Sequence, residues 1–191
     1  MPFDPEKHHH RSQRLKGYDY TLSGAYFATI CTYGRESLFG EIVDGIMHPN
    51  LFGQVVRSYW ERIPLRASDV ALDAFVVMLN HVHGIIVLTG NARCRGEALA
   101  GEVDDMPRPL PANASPPHGT VPGSLGAIVQ SWKSLTSRRI NHLRGSRGAT
   151  LWQEGYYERI IRDENELNAI REYIAQNPVQ WEMDSENPSR C

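Results

Sequence analysis

The sequence predicts an α+β sandwich: one sheet with an antiparallel centre and helices on its faces. Two observations carry this expectation. The adjacent apolar runs Val70 to Leu79 and Val82 to Leu88 read as neighbouring central strands, covered on at least one face. Three helical stretches, Asn50 to Ile63, Ser124 to Leu143 and Asp163 to Gln176, alternate with strands along the chain instead of forming a separate block.

The elements follow in order. Gly24 to Tyr33 (GAYFATICTY) is rich in aromatic and β-branched residues and follows a Ser-Gly turn, so it reads as a strand. Leu38 to Met47 holds Asp-Gly between short apolar pieces, the pattern of a second strand or a hairpin. Asn50 is a good N-cap for the helix bearing Leu51, Val55, Tyr59 and Ile63, and Pro64 ends that run. Ser124 or Gly123 can cap the next helix, which carries Leu125, Ile128, Val129, Trp132, Leu135 and Ile140 near helical spacing. Thr150 to Ile161 reads as a short strand or extended connection. Asp163, with Glu166 three residues on, is a capping box for the last helix, and Pro178 lies past its end.

The chain has 191 residues, the size of one domain. Three parts are expected: a basic arm at 1–16, a single domain at 17–181 and an acidic tail at 182–191. Within the domain, 91–122 is set apart by Pro107, Pro109, Pro111, Pro116, Pro117 and Pro122, many Ala and Gly, and an acidic cluster. It has too little apolar surface to offset its ordering entropy and reads as a mobile insertion. No uncharged apolar stretch approaches the about 18 residues of a membrane span. Met1 to Lys16 lacks the apolar core of a secretory signal, so the expected location is the cytoplasm. Cys31, Cys94 and Cys191 have neither the even count nor the spacing of a disulfide framework or thiolate zinc site, and read as free thiols.

The formal net charge of -2 hides a segregated distribution. From Gly123 to Arg162, Lys133, Arg138, Arg139, Arg144, Arg147, Arg159 and Arg162 outnumber Glu154 and Glu158. The arm adds Lys7, Arg11, Arg14 and Lys16 beside His8, His9 and His10, whereas acids gather at 97–105 and 163–186. Such segregation can give a basic face on a nearly neutral protein; it is also what ordinary solvated surface looks like.

Three groups of residues can carry chemistry. His81 and His83 are two apart on a predicted strand, so their imidazoles share a face while Val82 points into the core. Paired imidazoles on a rigid strand suit a metal, although half-exposed structural histidines give the same pattern. Tyr173 and Asn177 share a helix face at four-residue spacing. A phenolate can attack phosphorus, and an amide oxygen suits a hard cation; equally, Tyr173 borders the stripe of Leu167, Ile170 and Ile174 and can be packing. Trp132 and Lys133 with Arg138 and Arg139, then Trp152, Gln153, Tyr156 and Tyr157, interleave cations with rings as single-stranded nucleic acid requires. A helix with an aromatic core face and a basic solvent face reads the same. Tyr156 and Tyr157 are rival candidates for the nucleophile.

Four segments in this order resemble one family. LNHVHGIIVL is similar to the HUH motif of the single-tyrosine transposases, in the REP-associated branch. SLGAIVQSWKSLTSRRIN resembles the helix after that motif. LWQEGYYERIIRDENELNAIREYIAQNPVQW resembles the C-terminal signature, and RLKGYDYTLSGAYFATICTYGRESLFGEIV the opening strands. The resemblance spans roughly residues 11 to 181 and implies a ferredoxin-like or RRM-like core. It implies that His81 and His83 hold Mg²⁺ or Mn²⁺ with Asn177 as third ligand. It makes Tyr173 the nucleophile that cleaves hairpin-containing single-stranded DNA through a 5′-phosphotyrosine bond. Lys133, Arg138, Arg139 and Arg159 become candidates for backbone contacts and Trp132 for the DNA surface, with the protein on the nucleoid when bound. A homodimer stays open. The alternatives are a nucleic-acid-binding protein that descends from such a transposase and does not cut, a metallohydrolase of a small substrate, and an RNA-binding protein of similar sheet architecture.

Overall fold

The computed structural model describes residues 19–90, 121–184 and 186–188. The arm expected at 1–16, nearly all of the insertion expected at 91–122, Cys94 and Cys191 lie outside the described residues.

Among the described residues, six strands and four helices are arranged as β1 (Gly24–Cys31), β2 (Gly40–Val43), β3 (Ile46–Pro49), α1 (Leu51–Glu61), α2 (Ile63–Arg66), β4 (Val70–Val77), β5 (His81–Leu88), α3 (Leu125–Leu143), β6 (Tyr157–Ile161) and α4 (Glu164–Gln176). The main sheet has the order β4-β5-β1-β6, antiparallel throughout. Leaving out the small hairpin and the single turn α2, the chain runs β-α-β-β-α-β, the ferredoxin-like pattern, with α4 added.

Local chemistry sets the ends of these elements. Asp44 and Gly45 both have positive φ, 51° and 74°, as a two-residue hairpin turn needs. The β2–β3 hairpin they close forms a two-stranded sheet apart from the main one. The Asn50 side chain accepts the Phe52 and Gly53 amides at 2.9 and 3.1 Å and caps α1. Pro64 does not end the helical region. It sits in the first turn of α2, where a missing N–H costs nothing. Ser124 caps α3, and Asp163 caps α4 by accepting the Glu166 amide at 2.9 Å. The Glu166 carboxylate turns back to accept the Arg162 amide.

The strand period of two gives the sheet two apolar faces. On one, Tyr26, Ile30, Val82 and Ile86 pack against Trp60 of α1 and against Leu125, Val129 and Trp132 of α3. Gly84 makes this possible: a Cβ there would lie 2.3 Å from the Trp60 ring. On the other face, Phe27, Ile85 and Ile161 pack against Ile174 of α4, flanked by Leu167 and Ile170. Burying such a side chain contributes about 1.5–3 kcal/mol, enough to hold a short helix that would be marginal alone. A bulge in β4 between Leu72 and Phe75 presents Asp73, which Arg171 of α4 grips with two hydrogen bonds of 2.9 and 2.7 Å. Among the described residues, no helix is long and apolar enough to cross a membrane.

Candidate metal centre and its tyrosine

β5 places His81 and His83 on the α4 face of the sheet, opposite Cys31 and Thr29 of β1, while Val82 is sealed in the other core. Each imidazole is held from behind. His81 Nδ1 is 2.8 Å from Asn80 Oδ1, an oxygen that can only accept, so His81 carries its proton on Nδ1 and turns a lone pair at Nε2 outward. Asn80 is itself fixed, because its amide donates to the Arg35 and Glu186 carbonyls. His83 Nδ1 meets the Thr29 hydroxyl at 2.8 Å, a contact set by the β1–β5 register. The two Nε2 atoms then face each other at 2.9 Å. Burial pushes the His81 pKa well below its usual value, and a charge on His83 would lower it further. His81 is therefore a neutral lone-pair donor.

Asp184 completes the cluster. Its ligand oxygen and the ligand nitrogens of the two histidines lie within 4.8 Å of one another, and all three side chains are buried. Asp184 Oδ2 stands 4.0 Å from His83 Nε2 and accepts from the Asn177 amide at 2.7 Å; Oδ1 accepts the Glu186 amide at 2.6 Å. Burial pushes this carboxyl up, but His83, the Glu186 amide, His81 and Asn177 together hold it well below the usual carboxylate range.

α4 supplies the remaining residues. The Tyr173 hydroxyl lies 3.3 Å from His83 Nε2, and the ring stands edge-on to His83 and Phe27. Tyr173 is 40% exposed, so its oxygen borders solvent. Burial, then the negative charges of Asp184 and Glu186, push its pKa up to about 12, against the pull of the Asn177 amide. One turn on, Asn177 is buried, its Nδ2 is spent on Asp184, and its Oδ1 has no hydrogen-bond partner. An orphaned buried carbonyl costs about 1–3 kcal/mol, and a cation would relieve it. Two imidazole nitrogens, a carboxylate and that oxygen fit a divalent cation of the kind bound by mixed nitrogen and oxygen donors.

The sequence-expected residues divide. His81, His83, Tyr173 and Asn177 meet on one face. Asp184 was not expected, and the acidic tail in which it falls had no assigned role. The short 3₁₀ turn Trp181–Met183 turns the chain back over the histidines, with Trp181 stacked near His81. Nothing in the local sequence marks an aspartate beyond the last helix as a partner of residues a hundred positions earlier.

The expected DNA-contacting residues are scattered. Arg138 and Arg139 are exposed on α3, across the sheet from the cluster. Arg159 lies on β6 opposite Phe27, on the cluster's own face, and pairs with Glu166 at 2.5 Å. Two expectations need correction. Trp132 is 2% exposed, with its ring against Trp60 and Trp152, and has no face for a base. Lys133 is folded inward: its ammonium donates to the Gln153, Glu154 and Gly155 carbonyls, and burial lowers its pKa to about 8. The same helical spacing served the core where a binding surface was expected. Of the rival tyrosines, Tyr157 touches Phe27 on the cluster's face at a ring separation of 6.3 Å, and Tyr156 packs with the opposite core.

The fold is shared with solved structures. A solved REP-associated tyrosine transposase bound to a REP hairpin shares the fold, with a TM-score of 0.53 at 17% identity over 87% of this chain and 74% of that one. A putative transposase from Deinococcus radiodurans aligns with a TM-score of 0.42 at 18% identity, over 84% of this chain and 95% of its own. No protein-family model matches the chain. An uncharacterized protein of Haemophilus influenzae is 40% identical over 177 residues, which is 93% of this chain and 92% of that one, and the chain belongs to its family.

Proposed function

We propose that the protein is a metal-dependent single-stranded-DNA endonuclease and strand transferase that acts through Tyr173. The observation that carries this reading is the Tyr173 hydroxyl, 3.3 Å from His83 Nε2 at the edge of a cluster of cation-binding atoms. The hairpin DNA held by the structural neighbour supports the substrate class.

His81, His83, Asp184 and Asn177 would hold Mg²⁺ or Mn²⁺, which when bound would supply positive charge against the charge developing on a scissile phosphate. Tyr173 oxygen attacks phosphorus in line. The bond from phosphorus to the 3′ oxygen breaks as the new bond to Tyr173 forms; the phenolic proton leaves to solvent and the 3′ oxygen gains one. The products are a 5′-phosphotyrosine and a free 3′-OH. Because one phosphate ester replaces another, a 3′-OH can reverse the step and join strands. With its pKa at about 12, Tyr173 is protonated at neutral pH, and the negative charges of Asp184 and Glu186 contribute to that. Burial is the first cause of that raised value, and cleavage is expected to depend on a cation held by His81, His83, Asp184 and Asn177. Arg138, Arg139 and Arg159 are the proposed contacts to the DNA backbone.

The test uses labelled single-stranded hairpin oligonucleotides from the DNA flanking the gene, with Mn²⁺ or Mg²⁺ against EDTA. A protein–DNA adduct on a denaturing gel that needs metal and disappears in Tyr173→Phe is the expected result. An adduct that persists in that variant moves the nucleophile to Tyr157 or Tyr156. Binding without an adduct makes the protein a DNA-binding module.

A further inference from the structure

The cluster occupies one face of the sheet; the other carries a groove. Between α3 and the segment returning to β6, two hollows of about 460 and 490 Å³ lie end to end, and Ser134, Ser137 and Ala149 line both. Each falls within the about 300–1,000 Å³ of a ligand pocket. Arg138, His142 and Arg147 line one end, and Gln130, Gln153 and Tyr156 the other. Glu154 is the acid among the lining residues, at the tyrosine end. Short serine side chains on α3 leave the floor open. The Lys133 ammonium ties the wall to α3 through the Gln153, Glu154 and Gly155 carbonyls, so the groove is held in shape instead of collapsing onto the helix.

The geometry points to this groove as the track of an unpaired DNA strand that passes over the edge of β6 to Tyr173, a placement that rests on the function proposed above. A basic end that holds phosphates, followed by a ring and two side-chain amides that meet bases, is how proteins grip single strands. The route is short. β6 is one of the sheet's two edge strands and starts at Tyr157, and Tyr156 just before it packs with the core on the α3 side. Tyr156 lines the groove, and Tyr157, the next residue, is exposed beside Phe27, whose ring also meets Tyr173. A strand leaving Tyr156 therefore reaches the catalytic face by rounding one residue of backbone.

The experiment measures binding of the full chain to a labelled oligothymidylate of about 12 nucleotides, within the span one single-strand domain covers, in EDTA and across a salt series. Arg138→Glu with Arg147→Glu alters two exposed side chains. It is expected to weaken binding at least about 10-fold and to flatten the salt slope by about 1.4, which is about 0.7 for each of two phosphates that the arginines no longer neutralise. Ser137→Trp fills the groove without changing charge and is expected to weaken binding in the same direction. Duplex of equal length is expected to lose less than the single strand. Variants that bind like wild type, an equal loss for duplex, or a wild type that ignores oligothymidylate would each overturn the proposal. The two readings fail separately. A groove that binds in a protein forming no adduct sinks the endonuclease reading alone, whereas adduct formation unchanged in both variants, with unchanged binding, sinks the groove alone.

Discussion

Asn80 decides which nitrogen of His81 faces the cation site. Its Oδ1 accepts from Nδ1 at 2.8 Å, and its Nδ2 is fixed by donating to the Arg35 and Glu186 carbonyls, so the outward lone pair is set before any metal arrives. Asn80→Ala is expected to lower Mn²⁺ affinity about 10- to 100-fold, the usual cost of losing an outer-shell partner, while the fold survives. Titration calorimetry on both proteins checks it, and unchanged affinity would remove Asn80 from the account. The buried His81 also makes the metal-free protein acid-sensitive. Its folded pKa lies below its unfolded value near 6.5, so the unfolded chain binds more protons as pH falls through 6.5. The stabilising contribution is complete above that value and is lost below it, by at most about 1.4 kcal/mol per pH unit. Melting curves from pH 7.5 to 5 should show the loss, and Mn²⁺ should raise the melting temperature at pH 7.5 but steepen the fall toward pH 5, because the metal binds only the neutral imidazole and competes with protons. The histidine pair was legible in the sequence, because a strand's period of two fixes which side chains share a face. Asn80 and Thr29 were not, because their roles depend on a ring orientation and on the β1–β5 register.

The element that matters most is α4, which carries both Tyr173 and Asn177. Its apolar stripe sets its rotation, and the two hydrogen bonds from Arg171 to Asp73 tie its second half to the bulge in β4. Arg171 is two residues from Tyr173, the proposed nucleophile, and is held by Asp73 and Glu164, outside the cluster, which makes it a positioning residue. Arg171→Ala is expected to lower the cleavage rate with little change in DNA affinity, and Arg171→Lys to restore part of it; single-turnover kinetics separate the two quantities. The limits of α4 were readable from its capping box and Pro178, as were Asn50 before α1 and Asp-Gly in the hairpin. The environment of α3 was not. Helical spacing shows that Trp132 and its neighbours share a stripe, but not what covers it. The covering residues, Trp60 and Trp152, come from distant parts of the chain. Lys133 departs from expectation for the same reason, since a lysine beside a core position can reach inward to carbonyls as readily as outward to phosphates.

Across the whole molecule, the sheet separates the two proposed tasks: a cation site under α4 on one face and a strand-binding groove beside α3 on the other, joined by the edge of β6. The fold class was readable because strand and helix periods alternate along the chain. The closure of the site was not, because Asp184 reaches the histidines only after the chain turns back beyond α4. Ending the chain at Met183 removes Asp184, the carboxylate of the cluster, and Glu186, whose carbonyl and carboxylate hold Asn80 and Arg35. The shortened protein is expected to keep its sheet, by circular dichroism, and to bind Mn²⁺ at least about 10-fold more weakly, as when a metal loses a charged ligand or its support. Equal affinity would leave the site to the histidines and Asn177. The most direct test of the central claim is to digest the metal-dependent protein–DNA adduct and locate the modified residue by mass spectrometry. A nucleotide phosphate on Tyr173 is the predicted result; the same mass on Tyr157 or Tyr156, or no modified tyrosine, would contradict it.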